Sequence, residues 1–120
     1  MTSLERHLAK FRLFREAAFN PSVPEELRVE AMFLAAFHLI DARAAAEGVH
    51  INKHQRLRRE LERSGSIFGA ATRRLWTAFQ ELERDLRPKF VYGGTWKRSD
   101  FTRAEAVFRD IEDLCGGGTP

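Results

Sequence analysis

The 120-residue chain holds one cysteine, one tyrosine and four prolines, and three of its eight glycines stand together at Gly116-Gly117-Gly118. Each scarcity excludes something. A lone thiol, Cys115, forms no disulfide within the chain, so the fold must rest on its core, and a reducing cytoplasm suits it. No apolar run approaches the roughly 20 residues of a membrane span, and the first residues alternate charged with apolar side chains, unlike a secretory leader. A soluble cytoplasmic protein without membrane contact is expected. Common enzyme signatures are also absent: there is no Walker loop, no dinucleotide glycine fingerprint, no Cys-x-x-Cys and no His-Glu-x-x-His. His50 and His54 have helical spacing, but Asn52, a natural helix cap, falls between them, so neither a metal nor a cofactor is expected.

What is present is helical period almost throughout. Leu4, Leu8, Phe11, Phe14 and Ala18 recur every three or four residues behind Thr2 and Glu5, which have capping-box spacing, and Asn20-Pro21 ends this first helix. Ser22 and Glu25 repeat the spacing, Pro24 fits a first turn, and Glu25 and Glu26 complement the positive helix end. The second helix, to about Glu47, is apolar nearly all round: Ala31, Leu34, Ala35, His38, Leu39 and Ala42 form one stripe, and Met32, Phe33, Ala36, Phe37 and Ile40 another. It must lie centrally or be covered by a partner subunit. Gly48 is placed to take a left-handed conformation just past its end.

A short, mostly charged helix is expected from Asn52 to Arg63, with Leu57 and Leu61 as its anchors, broken by Ser64-Gly65-Ser66. Phe68, Ala71, Leu75, Ala78, Phe79, Leu82 and Leu86 mark the next helix, which Pro88 should stop. Tyr92 to Trp96 reads as a loop, and Ser99 as the start of a last helix carrying Phe101, Ala104, Val107, Phe108, Ile111 and Leu114. The expectation is an all-α, up-and-down bundle of four long helices plus one short one, a single domain over 1–115 with a flexible Gly-rich tail at 116–120.

Charge is segregated along the chain. Residues 50–103 carry 13 Lys/Arg against 6 Asp/Glu, whereas the flanking segments are acidic. Lys53, Arg56, Arg59, Arg87 and Lys89 are therefore candidates for a phosphate-binding cleft, the plainer reading being a solvated Arg-rich surface. Chemistry concentrates at Leu86-Arg87-Pro88-Lys89-Phe90-Val91-Tyr92-Gly93. A guanidinium grips a phosphodiester bidentately, and a phenol can donate a hydrogen bond to the same group. Proton transfer by tyrosine would need a strongly lowered pKa; histidine performs it readily, which makes His54 and His38 the other catalytic candidates beside Arg87 and Tyr92. His38 lies in an apolar stripe, either as a core histidine with satisfied ring nitrogens or facing a polar pocket near Arg87 or His54.

The apolar segment Ala31 to Ala46, Gly48, His54 and the Leu86-Arg87 to Tyr92-Gly93 turn together resemble the HEPN superfamily of small all-helical bundles. That resemblance implies a homodimer through the second helix, around a shared cleft. Many members are metal-independent endoribonucleases, often toxins neutralised by a nucleotidyltransferase partner, with an arginine, a polar residue and, a few residues on, a histidine. Here Arg87 matches the arginine, Pro88 replaces the polar residue and Tyr92 stands in the histidine's place. This pattern is similar to the Arg-to-Tyr subset, which implies a noncatalytic module binding a nucleotide, RNA or a nucleotidyltransferase-type protein at a basic cleft. The alternatives are a metal-independent endoribonuclease, with Arg87 holding the phosphate and His54, His38 or Tyr92 sharing proton transfer, and a purely structural or protein-interaction bundle.

Overall fold

A computed structural model describes residues 2–46, 48, 59 and 69–116, and among these every regular element is helical, with no strand. Helix α1 spans Ser3–Ala18 and starts where the capping spacing predicts: Thr2 accepts a hydrogen bond from the Glu5 N–H at 3.1 Å. Helix α2 spans Glu25–Ala46, its first turn closed by the Leu27 and Arg28 N–H groups donating to the Pro24 carbonyl. Gly48 takes φ 80° just past its end, a conformation that costs glycine nothing. The expected short helix at Asn52–Arg63 lies outside the described residues apart from Arg59, which is helical and exposed.

The following rod departs from the expected stop at Pro88. After one 3₁₀ turn at Gly69–Ala71 come helix α3 (Thr72–Gln80), a π-helical segment (Glu81–Leu86) and helix α4 (Arg87–Val91), without interruption. Proline normally breaks a helix because its ring meets the carbonyl four residues back and it lacks an N–H to donate. Here the turn widens before the proline, and the Arg87 N–H reaches five residues back to Leu82. Pro88 then occupies the first turn of α4, where no N–H is required. Arg87, expected to close the helix, instead sits inside the rod about one turn from its end. Helix α5 spans Arg98–Leu114, one residue earlier than Ser99 suggested, and Asp100 caps it by accepting from the Lys97 N–H at 2.8 Å.

Helix α2 lies at the centre and packs against α1, α4 and α5, while α3 packs on α5. Its buried residues include Val29, Met32, Phe33, Leu39 and Ile40, and its alanines at 31, 35, 36, 42 and 44 let neighbouring helices approach closely. Phe33 meets Phe79 with ring centroids 5.5 Å apart, Phe19 meets Phe108 at 5.6 Å, and Phe90 stacks on Trp96 at 4.8 Å. Burying each such side chain is worth about 1.5–3 kcal/mol, which makes this aromatic core the main source of cohesion. Cys115 belongs to that core rather than to the tail beside it, and burial pushes its thiol up to about 12.

Ion pairs tie the helices at fixed register. Arg74 meets Asp110 at 3.4 Å, Arg103 donates to both oxygens of Glu81 at 2.6 and 2.7 Å, and Lys89 meets Asp100 at 3.0 Å. Numbers rise along the α3–α4 rod as they fall along α5, so the two run antiparallel with a ladder of charges down the seam. Arg15 of α1 likewise donates to Glu112 of α5, an almost fully buried acid, and Arg28 closes the C-terminus of α1 by donating to the Ala18 carbonyl at 2.8 Å.

Candidate functional site

The end of the molecule where α4 runs out carries the residues singled out by the turn sequence. Arg87 points back toward α2, donating from Nε and Nη2 to the two oxygens of Glu30 at 2.8 and 2.9 Å. Its guanidinium lies over the Phe33 ring at 4.3 Å and the Tyr92 ring at 5.4 Å. The bidentate hydrogen bond that Arg87 donates to Glu30 raises the pKa of Arg87 above its already high value, against a smaller opposing effect of burial. Arg87 is thus a cation paired bidentately with Glu30, and it ties the turn to α2.

Around it, the three acids near the start of α2 each hold one element of the 87–98 stretch. Glu30 holds Arg87, Glu26 accepts from the Trp96 indole N–H at 3.1 Å, and Glu25 accepts from Arg98 at 3.4 Å. The same carboxylates complement the positive end of α2. Trp96 is thereby half-buried between Phe90 and the Arg98 guanidinium, 5.4 Å from its ring. Asp100 is held below its ordinary carboxylate range by the Lys97 backbone N–H first and by Lys89 second.

Tyr92 differs from its neighbours in being 66% exposed, directly after the last residue of α4. Gly93 follows with φ 82°, and Gly94 presses so close that an added Cβ would lie 3.0 Å from the Lys89 Cα and 3.3 Å from the Pro88 carbonyl oxygen. These two glycines fold the loop back and leave the phenol standing outward. Lys89, Lys97 and Arg98 are exposed in the same stretch. The arrangement offers an aromatic face beside several cations, a combination suited to stacking a base and meeting its phosphates.

The other candidates fall elsewhere. Lys53, His54 and Arg56 lie outside the described residues, and Arg59 is exposed on a helical residue remote in sequence from the turn. His38 is half-buried between α1 and α2, where its Nδ1 lies 3.0 Å from the His7 Nδ1 and its ring contacts Phe14 and Phe37. Arg87 has no histidine among its described hydrogen-bond and ring contacts. Sequence reasoning also passed over Glu30, His7 and Asp41. Asp41 sits in the apolar stretch of α2, the one acid between Glu30 and Glu47, and that isolation was the available signal. A groove of about 570 Å³ runs along the α3–α5 seam, but two of its three arginines, Arg74 and Arg103, are paired with Asp110 and Glu81.

Among the described residues no His, Cys, Asp and Glu side chains group as metal ligands, and no helix is long and apolar enough to cross a membrane. No family model, curated protein or solved structure matches the chain.

Proposed function

We propose that this chain is an HEPN-like binding module that receives a nucleotide or single-stranded RNA at the turn between α4 and α5. The observation that carries the reading is the exposure of Tyr92 over a guanidinium anchored by Glu30. In this reading Tyr92 stacks on a base, Lys97 meets the phosphates directly, Lys89 and Arg98 meet them by exchanging Asp100 and Glu25, and Arg87 positions the phenol and reserves its charge for the fold. Catalysis is not required. The apolar residues left at the surface of α2, with Leu27 60% exposed and Leu34 and Phe37 half-buried, support pairing of two copies through the second helix, so that two such turns share one cleft. A nucleotidyltransferase-type protein partner would meet the same surface.

The test is fluorescence anisotropy of a labelled single-stranded RNA oligomer titrated with the full chain at low salt, beside Tyr92→Ala. Stacking of a base on an aromatic side chain is worth about 1–3 kcal/mol, so the variant should bind about 5- to 150-fold more weakly with an unchanged unfolding midpoint. Absence of RNA or nucleotide binding even at low salt, where phosphate contacts are strongest, would sink this reading and leave a structural or protein-interaction bundle.

A further inference from the structure

The joint between α1 and α2 contains a chain of titratable groups that the turn chemistry does not use. Asp41 on α2 is 1% exposed, and its Oδ2 lies 3.1 Å from the Nε2 of His7 on α1. The other nitrogen of His7, Nδ1, lies 3.0 Å from the Nδ1 of His38, one turn before Asp41 on α2. His38 is stacked against Phe14 with ring planes 10° apart and meets Phe37 edge-on. One imidazole therefore reaches from α1 between two side chains of α2, and both of its nitrogens are engaged.

We propose that Asp41, His7 and His38 form a proton-linked latch that holds α1 on α2, keeps both of its contacts on taking up one proton, and opens when a second enters. The tautomers follow from the donor and acceptor inventory. With both imidazoles neutral, His38 Nδ1–H donates to His7 Nδ1, while His7 Nε2 faces Asp41 Oδ2 at 3.1 Å without a hydrogen bond to it. A proton added to His7 makes an imidazolium whose charge lies beside Asp41 and whose Nδ1–H donates to His38; the proton of His38 then resides on Nε2. Both contacts survive. A second proton leaves two Nδ1–H groups opposed at 3.0 Å, with like charges and no acceptor between them.

The charged surroundings act in the same direction. Among the described residues, His7 and Lys10 of α1 are the cations that disfavour charge on His38, and burial between the phenylalanines adds the larger share; on α2 the facing acid, Asp41, contacts His7. Charge on His38 is accordingly resisted until acid forces it in. The product of that step is a loosening of α1 on α2, against the Phe11 and Ala18 packing and the Arg15–Glu112 pair that also hold it.

The experiment is an NMR titration of the uniformly ¹⁵N-labelled full chain from about pH 7.5 to about pH 4, following imidazole nitrogens and amide exchange corrected for its intrinsic pH dependence. Resonances of His7 and His38 are assigned with His7→Gln and His38→Phe, the latter keeping an aromatic ring against Phe14 and Phe37. The Nδ1 signals of both residues should move together in the first step with α1 protection unchanged, and protection across Ser3–Ala18 should fall by about tenfold or more in the second. His38→Phe should lose that second step. Independent titration of the two imidazoles, steady α1 protection when both are charged, or a persisting acid step in His38→Phe would each overturn the latch. Should that variant not fold, the wild-type titration decides alone.

Discussion

Glu30 of α2 accepts both Nε and Nη2 of Arg87, at 2.8 and 2.9 Å, so the arginine that the turn sequence presents as a phosphate grip already holds a carboxylate. Both side chains are less than a quarter exposed, at 17% and 24%. A ligand phosphate would have to displace Glu30 to reach that guanidinium in the same geometry.

Glu30→Gln separates the two roles of Arg87. Leaving a partly buried cation without its counter-charge should lower stability by about 1–3 kcal/mol, read as a shift in the urea midpoint. The freed guanidinium should at the same time tighten polyanion binding in the anisotropy titration, with a steeper salt dependence. Loss of stability without any gain in affinity would mean that Arg87 serves the fold alone.

Pro88→Ala should change stability by under about 1 kcal/mol, because the widened π turn and the first-turn position already relieve the proline of its usual conflict. An ordinary helix-interior proline would instead make the alanine variant more stable by about 3 kcal/mol. Chemical denaturation of the two proteins distinguishes these outcomes directly.

The loop that exposes Tyr92 depends on backbone proximity at Gly94. Gly94→Ala places a methyl group 3.0 Å from the Lys89 Cα and 3.3 Å from the Pro88 carbonyl oxygen, and both of these backbone atoms belong to α4, which cannot yield freely. A loss of about 1–2 kcal/mol is expected, together with weaker RNA binding from displacement of the phenol. Gly93→Ala meets open space but must hold φ 82°, at a cost of about 1 kcal/mol. Thermal melts of both variants would check the ranking, and equal stability to the parent would contradict the close approach.

Stability should fall on acidification through the His38 window. Burial first, and the His7 and Lys10 charges second, lower its pKa from 6.5 to about 4, so the unfolded chain binds a proton that the folded one refuses. The unfolded state then holds more protons between those values, and stability drops as pH falls from about 6.5 to about 4 and levels off below. Urea midpoints measured across that range should show this slope in the parent and a shallower one in His38→Phe. Identical pH profiles would remove His38 from the account.

Much of the architecture was legible because helices announce themselves locally. Thr2 with Glu5, the stripe from Phe101 to Ile111 and the apolar wealth of α2 each follow from side-chain spacing and near-neighbour hydrogen bonds, which require no knowledge of the rest of the chain. Pro88 was misleading for an instructive reason: a single residue forbids the α register but says nothing of the π register that the preceding six residues adopt. Arg87 and Tyr92 were visible as residue types at a turn, whereas the partner of Arg87 stands 57 positions away on another helix and leaves no local trace.

The sequence by itself determined the helical class, the Thr2 cap, the apolar character of α2 and the concentration of arginine and lysine in residues 50–103 of the chain, because these are properties of composition and short-range period. Tertiary structure alone decided which charges are spent inside the protein. Arg87 met Glu30, Lys89 met Asp100, Arg103 met Glu81, and His7 joined Asp41 to His38, since long-range pairing depends on how helices are set against one another and not on their spacing in the chain. Tyr92 was left at the surface by the same packing, which buries Phe90 two residues earlier and turns the backbone at Gly93.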